Sequence, residues 1–121
     1  MSNSSKFMFV YRSAQDASAA PPSPEEMQQI MTAWHQWFEA IGDSLVDGGD
    51  WLLPVGKQVQ ADGTISDGPF IEGKEMVGGY TIVKAESIDA AVALSRGCPV
   101  FHAGGWVEVR LLAGTDEIQP S

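Results

Sequence analysis

Residues 23–42 read SPEEMQQIMTAWHQWFEAIG and give the strongest secondary-structure signal in this chain of 121 residues. Ser23 occupies an N-cap position, Pro24 the first helical position and Glu26 the third, which together form a capping box. Apolar side chains follow at spacings of three and four along one face, and Gly42 provides a stop. We therefore predict a helix that packs by this apolar stripe, which consists of Met27, Ile30, Met31, Trp34, Trp37, Phe38 and Ile41.

Strands are predicted on both sides of this helix. Residues 6–12 are apolar at almost every position, which is typical of a central strand covered on both faces. The pair Asp62-Gly63 predicts a hairpin, and Ser87 begins a second helix that ends at Gly97. The predicted strands are residues 6–12, 45–46, 51–53, 57–60, 64–66, 80–85 and 106–111.

This order of elements predicts an α+β fold. We expect a ferredoxin-like sandwich in which an antiparallel sheet carries both helices on one face. The other face then needs a cover, and we assign to it apolar residues that two helices cannot all bury: Phe7, Phe9, Trp51 and Trp106. A homodimer formed sheet against sheet about a two-fold axis would cover that face.

Composition narrows the classes of partner. The formal charge of −9 argues against the clustered basic surface that nucleic acids or anionic membranes require. A single cysteine, with no signal peptide and no apolar run that spans a bilayer, indicates a cytoplasmic protein. We expect one domain over residues 6–112, flexible tails at 1–5 and 113–121, and a small organic molecule as a partner besides the second subunit.

A candidate site lies in residues 67–75, DGPFIEGKE. Pro69 restricts its own φ angle and favours an extended conformation at Gly68, so the backbone would hold Asp67 in place. Asp67 could then act as a base or as a hydrogen-bond acceptor within the turn. Glu72, Lys74 and Glu75 form a charged rim that could orient a ligand. The alternative is a turn that exposes charges, in which Lys74 pairs with its acidic neighbours at a gain of ~0–1 kcal/mol.

Two further residues are candidates for chemistry. His35 falls at the edge of the apolar stripe, where an imidazole could act as a general base near neutral pH, or could simply pair with Glu39 or water. Arg12 ends the first strand and could clamp a substrate carboxylate through two hydrogen bonds, or could be a solvated strand end.

Several other chemistries are not indicated. His35 and His102, with Cys98, form no spacing typical of a metal site. Cys98 follows a helix C-terminus, which would raise rather than lower the pKa of a thiol and argues against a nucleophile. No phosphate loop, nucleophile elbow or dinucleotide fingerprint is present, so no cofactor is expected. We interpret the four tryptophans as core rather than as an aromatic ligand box.

The chain resembles the YCII-related, DGPF-type domain family. The resemblance rests on Asp-Gly-Pro-Phe at 67–70 with the following Glu-Gly-Lys-Glu, on Gly78-Gly79-Tyr80, and on residues 104–110. It implies a dimeric α+β barrel and a superfamily that includes cofactor-independent oxygenases and lactone isomerases. It also implies an acid and base pair formed by a histidine and an aspartate, which match His35 and Asp67 here.

Three functions are consistent with these residues. The preferred one is proton transfer on a small organic metabolite in a cleft between helix and sheet, carried by His35 and Asp67. The second is a non-catalytic ligand-binding or regulatory module, because the family resemblance includes association with sigma factors. The third is an assembly unit whose cleft is filled by its own side chains.

Overall fold

The computed structural model describes residues 4–14, 23–52, 56–67 and 75–114. One strand precedes the first helix, several strands separate the two helices and one strand follows the second, as the sequence predicts, and the architecture is α+β. The elements are β1 (Ser5–Ala14), α1 (Pro24–Ile41), β2 (Leu45–Asp47), β3 (Lys57–Val59), β4 (Ile65–Asp67), β5 (Glu75–Ala85), α2 (Ile88–Ser95) and β6 (Trp106–Leu111). Short 3-10 turns follow α1 at Gly42–Ser44 and precede β6 at Pro99–Ala103.

Both helices begin where their serine caps predict. The Ser23 hydroxyl accepts a hydrogen bond from the Glu26 N–H at 3.1 Å, and the Ser87 hydroxyl accepts one from the Ala90 N–H at 3.1 Å. These bonds satisfy donors that a helix leaves without intrahelical partners. Helix α1 ends at Gly42, whose φ of 53° lies where L side chains are rarely found. Neither helix of the described chain is long and apolar enough to cross a membrane.

Four strands form the main sheet in the order β2-β5-β1-β6, and every described pairing is antiparallel. Strand β1 lies between β5 and β6, which confirms its predicted central position. Strands β3 and β4 form a separate hairpin around Asp62-Gly63, as predicted. The predicted strand at 51–53 is reduced, in its described part, to one bridge between Trp51 and Gly79.

Alternation along β1 places the core. Phe7, Phe9 and Tyr11 are buried, and they cluster with Trp34 and Trp37 of α1 and with the α2 residue Ala91. Both helices therefore lie on one face of the sheet, as predicted. The assignment of Phe7 and Phe9 to the opposite face was wrong, because odd-numbered positions of β1 point toward the helices.

The opposite face of the sheet, which we call the open face, is formed by even-numbered positions of β1 and their cross-strand partners. Met8 lies opposite Ile82 of β5 and Arg110 of β6, and Arg12 lies opposite Trp106. The apolar members are only partly buried, since no described helix covers them. Of the large aromatic residues expected here, Trp106 is in place. The assignment of Trp51 to this face was wrong, because its ring packs against Trp34 of α1 on the other side of the sheet.

The apolar stripe of α1 packs along only part of its length. Trp34 and Trp37 are buried, whereas Met27, Ile30 and Met31 expose 45%, 37% and 43% of their surface. The prediction that the whole stripe packs was therefore wrong for the first two turns. Helix α1 is anchored by its second half, where the Trp37 ring N–H donates to the Leu94 carbonyl of α2 at 3.0 Å.

Candidate functional site

A cavity of about 190 Å³ lies between α1 and the segment that follows β2. Typical ligand pockets hold about 300–1,000 Å³, and an engineered cavity of about 150 Å³ holds benzene, so this one suits a small molecule of roughly one ring. Its walls are aromatic and glycine-rich, with one imidazole and one carboxylate. The lining residues are Tyr11, Met31, Trp34, His35, Phe38, Gly48, Gly49, Asp50, Trp51 and Tyr80.

One wall of this cavity is built by Gly48–Trp51, and Gly49 is the residue that allows it. Gly49 has a φ of 71°, and a Cβ placed on it would lie 1.7 Å from the Tyr80 carbonyl oxygen. The Asp47 carboxylate accepts a hydrogen bond from the Gly49 N–H at 2.8 Å and holds the turn. Only glycine can bring the backbone this close to β5 in this conformation.

Aromatic rings form the floor and a second wall. The Trp34 and Trp51 rings lie 5.0 Å apart at 89°, and the Tyr11 and Trp34 rings lie 5.1 Å apart at 68°. Trp34 is buried, whereas Trp51 exposes 46% of its surface at the cavity mouth. The expectation that the tryptophans are core is thus confirmed for Trp34 and Trp37, while Trp34 also faces the cavity with Trp51.

A buried hydrogen-bond chain ties the floor to the glycine wall. The Tyr11 hydroxyl donates to the Thr81 hydroxyl at 2.5 Å, and the Thr81 hydroxyl donates to the Gly48 carbonyl at 3.0 Å. Burial raises the pKa of Tyr11 well above its usual range, so the phenol stays protonated and acts as a donor. The chain joins β1, β5 and the Gly48–Trp51 wall, and it fixes their spacing.

Cys98 lies beside this chain and is 1% exposed. Burial raises the pKa of its thiol to about 11, which is the direction predicted from sequence. The main cause is removal from water rather than the neighbouring helix end. The thiol is therefore neutral at physiological pH and unsuited to nucleophilic attack.

His35 stands on α1 at the rim of the cavity, with an exposed side chain. No hydrogen bond or ion pair joins it to another described residue, including Glu39, which lies one turn further along the helix. An exposed imidazole beside an apolar cavity can take a proton from a bound molecule or return one. A carboxylate also borders the cavity, that of Asp50, which accepts a hydrogen bond from the Trp51 N–H at 2.8 Å.

The predicted partners of His35 fall largely outside the described residues. Asp67 ends β4 opposite Lys57, but its side chain is not described. Glu72 and Lys74 lie outside the described residues, as does the side chain of Glu75. The pairing of His35 with Asp67 and the charged rim therefore stay predictions.

Arg12 does not join the cavity. Its side chain lies on the open face, where its Nε donates to Glu108 at 2.8 Å. Arg110 donates to the other oxygen of Glu108 at 2.9 Å, and these two hydrogen bonds lower the pKa of that carboxyl. The sheet separates Arg12 from His35, so the two cannot hold one small ligand together.

Among the described residues, no three histidine, cysteine or acidic side chains come together as metal ligands do. A larger depression of about 520 Å³ is lined by the polar outer face of α1 alone. It offers one carboxylate, from Glu25, beside neutral amide and hydroxyl groups, so it brings no set of catalytic groups together.

Sequence reasoning missed Gly49 and Asp50 as site residues. Residues 47–50, Asp-Gly-Gly-Asp, lie between the predicted strands at 45–46 and 51–53, and their sequence is typical of a simple connecting turn. Two adjacent glycines also permit close approach of two backbones, and this was the available signal. It could not reveal which strand would be approached.

A family model described as the YCII-related domain matches residues 7–113. No curated protein shows significant sequence similarity to the chain. The match extends over most of the 121 residues, so the chain belongs to the YCII-related family.

Proposed function

We propose that this YCII-related protein binds a small organic molecule in the cavity between α1 and the sheet, and that His35 exchanges a proton with it. The observation that carries the proposal is the position of His35, the one imidazole at the rim of an aromatic cavity. Imidazole is suited to proton transfer near neutral pH, and transfer by a positioned side chain contributes about 10²–10⁴ in rate.

The surroundings of His35 support this role. The rings of Trp34 and Tyr11 that line the cavity are buried, whereas the side chain of His35 is exposed, so His35 lies where a bound molecule would meet water. A carboxylate would complete an acid and base pair. Asp67 is the candidate from the family resemblance, and Asp50 is the carboxylate that borders the cavity.

The test begins with small cyclic carbon acids in deuterated water, followed by NMR for loss of the acidic C–H signal. We expect exchange catalysed by the wild-type protein and a fall of about 100-fold in the His35→Gln variant. Glu39→Gln is the matched control, because Glu39 is exposed on the same helix and does not line the cavity. Equal exchange rates for His35→Gln and wild type would remove His35 from the mechanism.

A second function is a non-catalytic ligand-binding or regulatory module, linked through the family to sigma-factor control of transcription. One observation favours it: His35 makes no hydrogen bond to a described carboxylate that would orient the imidazole. Saturable ligand binding that is unchanged in His35→Gln, together with no proton exchange, would support this function over catalysis.

We also propose that the protein acts as a cytoplasmic homodimer. The partly buried Met8, Ile82 and Trp106 of the open face support self-association, and a single cysteine in the chain suits a reducing compartment. Light scattering should give twice the 13.0 kDa chain mass, and Ile82→Glu should halve it. The control Val59→Glu changes an exposed hairpin residue and should leave the mass unchanged. A monomeric mass for wild type at micromolar concentration would contradict the dimer.

A further inference from the structure

The described walls of the cavity favour positive charge over negative charge. Its described lining contains five aromatic rings and the carboxylate of Asp50, and it contains no lysine or arginine. Aromatic rings carry negative charge on their faces, and a cation placed over them is attracted at about 0.5–2 kcal/mol. Within the described lining, His35 is the one basic side chain that an anionic ligand could meet.

The geometry of the rings adds to this preference. Trp34 and Trp51 meet at 89°, and Tyr11 meets Trp34 at 68°, so the rings form a corner rather than a flat stack. A compact group seated in such a corner can touch more than one ring. Planar stacking ligands gain less from a corner, because they match only one ring face at a time.

Asp50 is placed to add a formal negative charge. One of its carboxylate oxygens accepts from the Trp51 N–H at 2.8 Å, which fixes the carboxylate next to the outermost ring. The whole chain has a formal charge of −9, so the long-range field also favours the approach of cations.

We propose that this cavity takes a small organic cation whose alkylated ammonium group sits in the corner formed by Trp34, Trp51 and Tyr11. The inference rests on the function proposed above, since it names the class of ligand for the same cavity. A trimethylammonium group fits a cavity of about 190 Å³ and needs no hydrogen-bond donor or acceptor from the walls.

The test compares choline with 3,3-dimethylbutan-1-ol, which has the same shape but a neutral carbon in place of the nitrogen. Titration calorimetry on the full chain at fixed ionic strength should show choline binding about tenfold tighter than the alcohol. Trp51→Leu should lower this ratio about fivefold, while Trp51→Phe should keep most of it. Asp50→Asn, which retains an oxygen to accept from the Trp51 N–H, should also lower the ratio.

Each outcome decides between the two proposals. Equal affinities for choline and the alcohol, or a ratio unchanged in both Trp51→Leu and Asp50→Asn, would overturn the inference of a cation. Binding of neutral cyclic fragments without choline would overturn it too, and would leave the function proposed above standing. Failure of choline, the alcohol and every neutral fragment to bind would overturn both.

Discussion

Replacement of Gly49 by alanine should destabilise the protein by about 3–4 kcal/mol, and the structure provides both parts of this figure. The first part is the φ of 71°, which costs an L residue about 1–2 kcal/mol. The second is the new Cβ, which would lie 1.7 Å from the Tyr80 carbonyl oxygen, whereas such contacts are essentially never shorter than 3.0 Å. Separation of the two backbones would break the bonds from Tyr80 N–H to the Asp50 carbonyl and from Leu52 N–H to the Gly78 carbonyl, at ~1 kcal/mol each.

The assay is urea unfolding followed by tryptophan fluorescence, with Gly104→Ala as the control. Gly104 has a φ of 79°, and a Cβ there would have no heavy atom within 4 Å, so its replacement isolates the conformational cost of about 1–2 kcal/mol. Gly49→Ala should therefore lose about 2 kcal/mol more than Gly104→Ala. If the two variants are equally stable, the close approach of the Gly48–Trp51 wall to β5 is refuted.

The remaining predictions concern the buried groups beneath the cavity. Burial raises the pKa of Cys98 to about 11, so the folded protein keeps a thiol proton that the unfolded chain loses above pH ~8.5. The free energy of unfolding should therefore fall as the pH rises from ~8.5 toward 11. The urea concentration at the unfolding midpoint should drop less between pH 8 and pH 10 in Cys98→Ala than in wild type. Equal drops in the two proteins would contradict this. Alkylation of Cys98 by iodoacetamide at pH 8 should be far slower in the native than in the urea-unfolded protein, and equal rates would show that the thiol is accessible. Thr81→Val should lower the free energy of unfolding by about 2–3 kcal/mol, because it removes the hydrogen-bond partners of both the Tyr11 hydroxyl and the Gly48 carbonyl. Tyr11→Phe should lower it by only about 1 kcal/mol. A larger loss for Tyr11→Phe than for Thr81→Val would contradict the direction of the hydrogen-bond chain.

Local chemistry made several elements predictable from sequence. The serine caps at Ser23 and Ser87 and the turn at Asp62-Gly63 act through contacts within a few residues, so their outcome depends little on the rest of the fold. The central position of β1 was also predictable, because a strand that is apolar at almost every position is typical of the interior of a sheet rather than its edge. The family resemblance pointed to the same architecture.

Long-range placement was less predictable. Phe7 and Phe9 were assigned to the wrong face, because a strand that is apolar throughout gives no contrast between its two sides. Exposure of Met27 could not be foreseen from helical spacing, since the spacing defines a stripe but not how far the sheet extends beneath it. Among the site residues, His35 was found from its position on the helix, while Asp50 enters the cavity only because Gly49 brings its turn against β5.

The β3–β4 hairpin should unfold locally and independently of the four-stranded sheet. Residues 56–66 are all exposed, and the side chains of Val59 and Ile65 leave 70% and 59% of their surface in water. A two-stranded ribbon is at best marginally stable alone, so its amide protons should exchange with solvent through local opening, long before those of β1. Residues can therefore be inserted, removed or labelled at Asp62-Gly63 without changing the stability of the four-stranded sheet. This turn is the natural attachment point for a reporter group.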